Sequence, residues 1–171
     1  MRVRRGALFS ISALFGLFYT SEVAGNSSAV GNTGASAWIG AFEPDLASDG
    51  SLEEDSRWAC REDLDSLNGD PCEIWFTLEE PMDIELMRVA LWQGDQYTRT
   101  IRITFEDSSG STTTATFPSS GTTEGFEDFY VFTQDTSKVT MRAVSLDDDE
   151  TLGIIEVKNL AAQIKQHVQC Q

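Results

Sequence analysis

Between Ala37 and Leu160 the apolar residues of this 171-residue chain arrive in short bursts, and turn-forming clusters interrupt before a helical period can build. The bursts are Trp38–Phe42, Ile74–Leu78, Ile84–Trp92, Thr98–Phe105, Thr112–Phe117, Phe129–Phe132, Val139–Val144 and Ile154–Leu160. Between them lie Glu80-Pro81, Gly94-Asp95, Asp107 to Gly110, Ser119 to Gly121 and Asp147 to Glu150, where Pro fixes φ, Gly reaches positive φ and Asp or Ser bonds its own backbone. Strands separated by turn signals about every 8–12 residues predict an all-β domain, a jelly-roll β-sandwich of about eight antiparallel strands.

Alternation assigns the faces, because successive side chains on a strand point to opposite sides. Ile74, Phe76 and Leu78 share a core face and leave Trp75 and Thr77 outward. Ile101, Ile103 and Phe105 share another, with Arg99 in phase at its start. Val89 and Leu91 alternate with Ala90 and Trp92, so that segment is apolar on both sides and predicts a central strand. Phe129 and Phe132 lie three apart and face opposite ways, with Phe129 the core member. Trp58 reads as a core anchor, and Arg57 as the partner of a neighbouring acid.

The ends read differently. Arg2, Arg4 and Arg5 precede an apolar run from Ala7 to Phe18, followed by small residues up to Gly25. The run is too short to span a bilayer comfortably, so residues 1–25 predict a secretory signal, a secreted protein and no membrane span. Residues 26–36 have the Gly/Ser-rich composition of a flexible linker, and Asn26 opens a glycosylation sequon. Residues 37–160 form the sandwich and residues 161–171 a tail that contains the lone His167.

Charge limits the partners. The chain carries 12 Lys and Arg against 28 Asp and Glu, a net charge of −16. Loss of the leader leaves nine basic residues against 27 acidic ones, a net charge of −18. Such a field repels nucleic acid and anionic lipid, and it repels a polyanionic sugar unless a local arginine cluster reverses it. Cations are attracted. Of three cysteines, Cys60 and Cys72 flank a polar, turn-rich loop and form the natural disulfide. Cys170 remains as a free thiol, the link of a disulfide-bonded dimer, or an inert tail residue.

One long stretch concentrates the motifs. Asp49-Gly50-Ser51-Leu52 leads to Asp55-Ser56-Arg57-Trp58; Ile74-Trp75-Phe76-Thr77-Leu78 and Pro81 follow, then Val89-Ala90-Leu91-Trp92 with Gly94-Asp95, and far downstream Ile154-Ile155-Glu156-Val157. In order and spacing these resemble the coagulation factor 5/8 type C, or discoidin-like, domain, and within it the carbohydrate-binding family 32-like modules that accompany alginate lyases. The match covers about residues 38–160. It implies a galactose-binding-like jelly roll, non-catalytic, with a ligand site in loops at one end and a structural calcium ion. Mapped residue by residue, the calcium ligands would be the carbonyls of Ala47 and Ser51, the Asp49 carboxylate, Ser56 and Glu156. The chain departs from the pattern at Glu73, where a tryptophan is usual, and at Glu150-Thr151-Leu152-Gly153; both departures bear on the sugar site rather than the fold.

The loop 47–56 itself is rich in the carboxylates and hydroxyls that calcium prefers, though a solvated acidic loop has the same composition. For a sugar, Trp92 and Tyr97 offer aromatic faces, Asp95 and Arg99 offer polar grips, and Phe126 offers a loop tip; the competing reading makes Trp92 core and pairs Arg99 with Asp95. Catalysis has little to stand on. One histidine in the tail gives no Ser-His-Asp set, no Gly-rich phosphate loop precedes a helix, and no carboxylate pair is singled out by apolar neighbours. Taken with the resemblance, which implies the calcium ion and the sugar ligand, the residues predict a secreted, non-catalytic, calcium-stabilised module that binds a polysaccharide or glycan. A small secreted polysaccharide-active enzyme and an extracellular adhesion or assembly protein are the alternatives.

Overall fold

Residues 30–61, 72–146 and 151–158 are described by the structure, a computed structural model. The predicted signal sequence (1–25), Asn26, residues 62–71 and 147–150, and residues 159–171 with His167 and Cys170 lie outside the described residues. Seven strands are present among them: β1 (Val30–Ala35), β2 (Trp58–Arg61), β3 (Glu73–Leu91), β4 (Arg99–Asp107), β5 (Thr112–Pro118), β6 (Phe126–Leu146) and β7 (Thr151–Lys158), with a 3-10 turn at Pro44–Ser48. All pairings are antiparallel.

Two strands serve both layers. β3 absorbs the expected strands at 74–78 and 84–92, and β6 absorbs those at 129–132 and 139–144. The two run together as one bent ribbon, with register irregularities between Thr77 and Leu86. Pro81 sits in that bend, where no partner needs the N–H it lacks. Asp83 secures the corner by accepting the Asp135 N–H at 3.1 Å, and Asp135 itself holds a left-handed φ of 53°. A five-stranded layer results, β1–β3–β6–β4–β5, with a four-stranded layer, β2–β7–β3–β6, formed from the other halves of the ribbon.

The predicted faces hold. Ile74, Phe76, Ile101, Ile103, Val139 and Met141 of one layer meet Met87, Val89, Leu91, Leu152 and Ile154 of the other, all essentially inaccessible. Burying each such side chain contributes about 1.5–3 kcal/mol. Phe129 is core and stacks on Phe117 at 5.1 Å between ring centres, whereas Phe132 is 84% exposed. Trp58 is fully buried, its indole N–H donating to the Ala37 carbonyl at 3.0 Å. Cys60 and Cys72 are disulfide-bonded.

Two expectations are corrected. Val30–Ala35, assigned to the flexible linker, is an edge strand paired with β3; its small residues lower strand propensity, but Gly34 lets the Trp75 indole lie flat across it, since a Cβ there would stand 2.7 Å from the ring. Trp38–Phe42, expected as a strand, is a turn. Gly40 takes φ 57° and the Phe42 N–H bonds back to the Ile39 carbonyl, so the segment folds away before pairing can extend.

Candidate functional site

The acidic loop 49–56 folds onto the outer face of the four-stranded layer, over Glu156. A β-bulge puts Glu156 there. Leu91 pairs with Ile154, yet Ala90 pairs with Glu156, so Ile155 is an extra residue. Without that shift Glu156 would share the core face of Ile154; the inserted residue reverses the parity and turns the carboxylate outward under the loop. Its Oε2 accepts the Gly50 N–H at 3.0 Å, while Oε1 is buried with no hydrogen-bond partner. Burial pushes the Glu156 pKa up to about 7, with a further rise from Asp49, against lowering by the Gly50 bond and Lys158.

The rest of the loop is organised by Asp49. Its Oδ1 accepts the Ser51 N–H at 2.8 Å and its Oδ2 accepts the Ser56 hydroxyl, while the Ser51 hydroxyl accepts the Glu53 N–H at 3.1 Å. Ala47 is buried in the 3-10 turn just before, and Gly50 reaches φ 86°. The structure therefore brings Asp49, Ser51 and Ser56 into one hydrogen-bonded cluster, joined to Glu156 through the Gly50 N–H, with Ala47 buried two residues before Asp49. Among the described residues no three of His, Cys, Asp and Glu gather in one place. This donor set, two carboxylates with hydroxyl and carbonyl oxygens, fits a hard oxygen-seeking cation.

Beside the loop, Arg57 is sandwiched between aromatics, its guanidinium carbon 4.0 Å from the centre of the Phe42 ring and 4.5 Å from that of Trp92. It donates to the Glu54 carbonyl, and desolvation lowers its pKa against the opposing pull of Glu54 and Asp55. Neither Phe42 nor this stack was legible in the sequence, because the three residues meet only through tertiary packing. Trp92 is half-buried on the outside of the sheet rather than in the core between the layers. It covers Gly153, where a Cβ would stand 2.8 Å from the Trp92 Cβ. That contact gives the glycine at 153 a structural cause. Gly153→Ala is expected to destabilise by about 1–3 kcal/mol through overpacking, measurable as a lower urea midpoint with unchanged slope.

Loops 92–98 and 119–125 meet at one end of the sandwich. The Thr123 N–H donates to the Gly94 carbonyl at 3.3 Å, and Gly94 is needed because a Cβ would lie 2.6 Å from the Thr123 oxygen. Glu127 holds the second loop through the Ser120 N–H at 2.8 Å. Arg99 lies beneath, only 1% exposed, its Nε donating to the Thr151 carbonyl at 3.4 Å and its guanidinium carbon 5.5 Å from the Tyr97 ring centre. Asp95 and Tyr97 are half-buried in the same loop. The five suggested sugar contacts are thus divided: Asp95, Tyr97 and Arg99 at the loop end, Trp92 under Arg57, and Phe126 on the outer face with the Lys158 ammonium 5.2 Å from its ring centre.

No family model matches the sequence, and no curated protein does. Solved structures match it. A truncated AlyQ with CBM32 and alginate lyase domains aligns at TM-score 0.62 and 25% identity over 75% of this chain, which spans 31% of that protein. The CBM32 of AlyQ alone, in complex with 4,5-unsaturated mannuronic acid, gives the same TM-score and identity with 92% of that chain covered. A pectin-binding carbohydrate-binding module aligns at 0.65 and 16% identity, covering 80% of this chain and 94% of that one. An F5/8 type C domain from Bacteroides fragilis aligns at 0.61 and 12%, covering 74% and 87%. The chain has the discoidin-like fold shared by F5/8 type C domains and family 32 carbohydrate-binding modules.

Proposed function

We propose that this chain is a secreted, non-catalytic module that binds carbohydrate through the loop end of its sandwich and is stabilised by calcium. The observation that carries the reading is the likeness to the AlyQ CBM32, at 25% identity and over 92% of that module's length. Tyr97 supplies the aromatic face, Asp95 hydrogen-bonds sugar hydroxyls, and buried Arg99 holds Tyr97 in place. Shallow contacts of this kind give weak binding per site, so retention on a polymer is the natural readout.

Calcium would be held by Glu156, Asp49, Ser51, Ser56 and the Ala47 carbonyl. Support comes from the buried, unpartnered Glu156 Oε1 beside Asp49, an arrangement that leaves negative charge short of a counter-charge. A carboxyl with a raised pKa is also what a general acid needs. Glu156, however, is 0% accessible and sealed by the loop backbone, so a glycosidic oxygen has no route to it.

The test is affinity electrophoresis of the protein through gels that contain neutral or acidic polysaccharides, with product analysis alongside. Retardation without release of reducing or unsaturated ends is expected, and Tyr97→Ala should weaken it about tenfold, near 1.4 kcal/mol, without lowering the melting temperature appreciably. Measurable turnover, or retention by no glycan at all, would overturn the reading.

A further inference from the structure

Arg102 of β4 and Arg142 of β6 stand directly opposite each other on the outer face of the five-stranded layer, and both are exposed. Like charges in facing positions destabilise a sheet, and a chain with a net charge of −16 has acids in abundance to place between them. Instead the row reads Glu73, Arg142, Arg102, Thr116 across four strands. Glu73 reaches Arg142 at 3.9 Å, a marginal ion pair, and Arg102 has no hydrogen bond or ion pair among the described residues.

The neighbouring rows continue the pattern. Trp75, Thr140, Thr104 and Thr114 form the next, and Thr77, Lys138, Glu106 and Thr112 the one after. Three of the nine basic residues beyond residue 25, Arg102, Lys138 and Arg142, thus share these three rows with Glu73 and Glu106, while Glu79 follows Thr77 on the same side of β3, one step further along the strand. Acids elsewhere on the surface are screened over a Debye length of about 8 Å at physiological salt. A shallow groove of about 340 Å³ opens here, lined by Glu73, Arg102, Thr104, Thr114, Thr140 and Arg142, at the small end of the range of about 300–1,000 Å³ found for ligand sites. At its edge the Trp75 indole lies flat over Gly34, with the Lys138 ammonium 5.5 Å from the ring centre.

We infer that this face binds a carboxylated polysaccharide, a polyuronate chain. The inference rests on the carbohydrate-binding reading and adds a second surface to the loop end. Adjacent strands root the two arginines about 5 Å apart, so both planar forks converge on one uronate carboxylate, a group whose geometry suits bidentate guanidinium contacts. The threonine hydroxyls of the groove serve the sugar hydroxyls, and the Lys138 ammonium, held near the Trp75 ring, adds positive charge at the groove's edge. The facing arginines are the local basic cluster that a polyanionic sugar requires to approach so acidic a protein.

The experiment compares polygalacturonate and polymannuronate with methyl-esterified polygalacturonate, which keeps the ring and loses the charge. The protein is expected to bind the acidic polymers more tightly than the ester, with binding that weakens as salt rises. Arg102→Gln and Arg142→Gln should each cost about tenfold for the acidic polymers and change the ester little. The melting temperature of Arg102→Gln should hold or rise, since the facing charges are relieved. Wild-type affinity for the acidic polymers in the double variant would overturn the face while leaving the loop end to account for binding. Failure of the wild type to bind any glycan, neutral or acidic, would instead bring down the carbohydrate-binding reading itself. Equal retention of a single-stranded oligonucleotide of matched charge, equally sensitive to Arg102→Gln, would overturn the assignment to uronate.

Discussion

Calcium added to the chelator-treated protein at pH 7.5 is expected to raise its melting temperature by roughly 10 °C, from about 2.7 kcal/mol at a hundredfold excess over Kd. The physical source is Glu156. Its carboxyl is essentially inaccessible and one oxygen is unpartnered, so burial lifts its pKa from 4.5 to about 7. The unfolded chain releases that proton near pH 4.5, whereas the folded chain keeps it until near pH 7. Between those values the native state binds more protons than the unfolded state, so stability falls as pH rises through the window. The full loss is about 3 kcal/mol once Glu156 is ionised in both states. A cation at the site reverses this, because it stabilises the ionised carboxylate and displaces the proton.

Three measurements follow from the same group. The ion-free protein should become less stable from pH 4.5 to 7, and calcium should flatten that slope. Glu156→Gln keeps an acceptor for the Gly50 N–H and removes the charge; it should stabilise the ion-free protein above pH 7 and abolish the response to calcium. A melting temperature indifferent to both chelator and calcium would eliminate the ion site. A flat pH profile without calcium would mean that Glu156 titrates normally.

The second large effect is the loss of the disulfide. The Cys60→Ala, Cys72→Ala double variant is expected to lose about 3 kcal/mol, the chain-entropy value for closing a loop of this length, read as a lower urea midpoint. The bond spans 12 residues and joins the end of β2, in the four-stranded layer, to the start of β3, in the five-stranded layer. β2 has only four residues; β7 is its one ladder partner, and on its other side it is held by the 37–42 turn, through Ile39 N–H to the Ala59 carbonyl at 2.9 Å and Ala59 N–H to the Phe42 carbonyl at 3.4 Å. Both cysteines lie in the core, at 0% and 3% exposure. Reductant should therefore act only after local opening, and the disulfide should survive mild reduction of the folded protein. Two thiols titrating in the folded protein, or a loss below about 1 kcal/mol, would count against this account.

The sandwich was legible because alternation is local. Ile101, Ile103 and Phe105 declare a face within five residues, and the structure buries all three. Turn chemistry was equally readable. Asp107 accepts the Ser109 and Ser111 N–H groups at 2.8 and 2.9 Å, and Gly110 supplies φ 85°. The side-chain hydrogen bond from Ser109 is the largest of several that hold the Asp107 carboxyl below its ordinary pKa. What misled was continuity. Pro81 reads as a break, yet a strand that changes layers needs a residue free of ladder bonding at its corner, and β3 runs through it.

The candidate sites divide along the same line. The sequence alone supplied the donors of the acidic loop, the partner cysteines, the outward Trp75 and the overall acidity, since each is a matter of residue type or of spacing along one strand. Register across strands comes from pairing between residues far apart in the chain, and only the tertiary structure could decide it. The extra residue at Ile155 turns Glu156 out of the core and under a loop 106 residues away. The alignment of β4 with β6 sets Arg102 against Arg142, and no periodicity within either strand records that meeting.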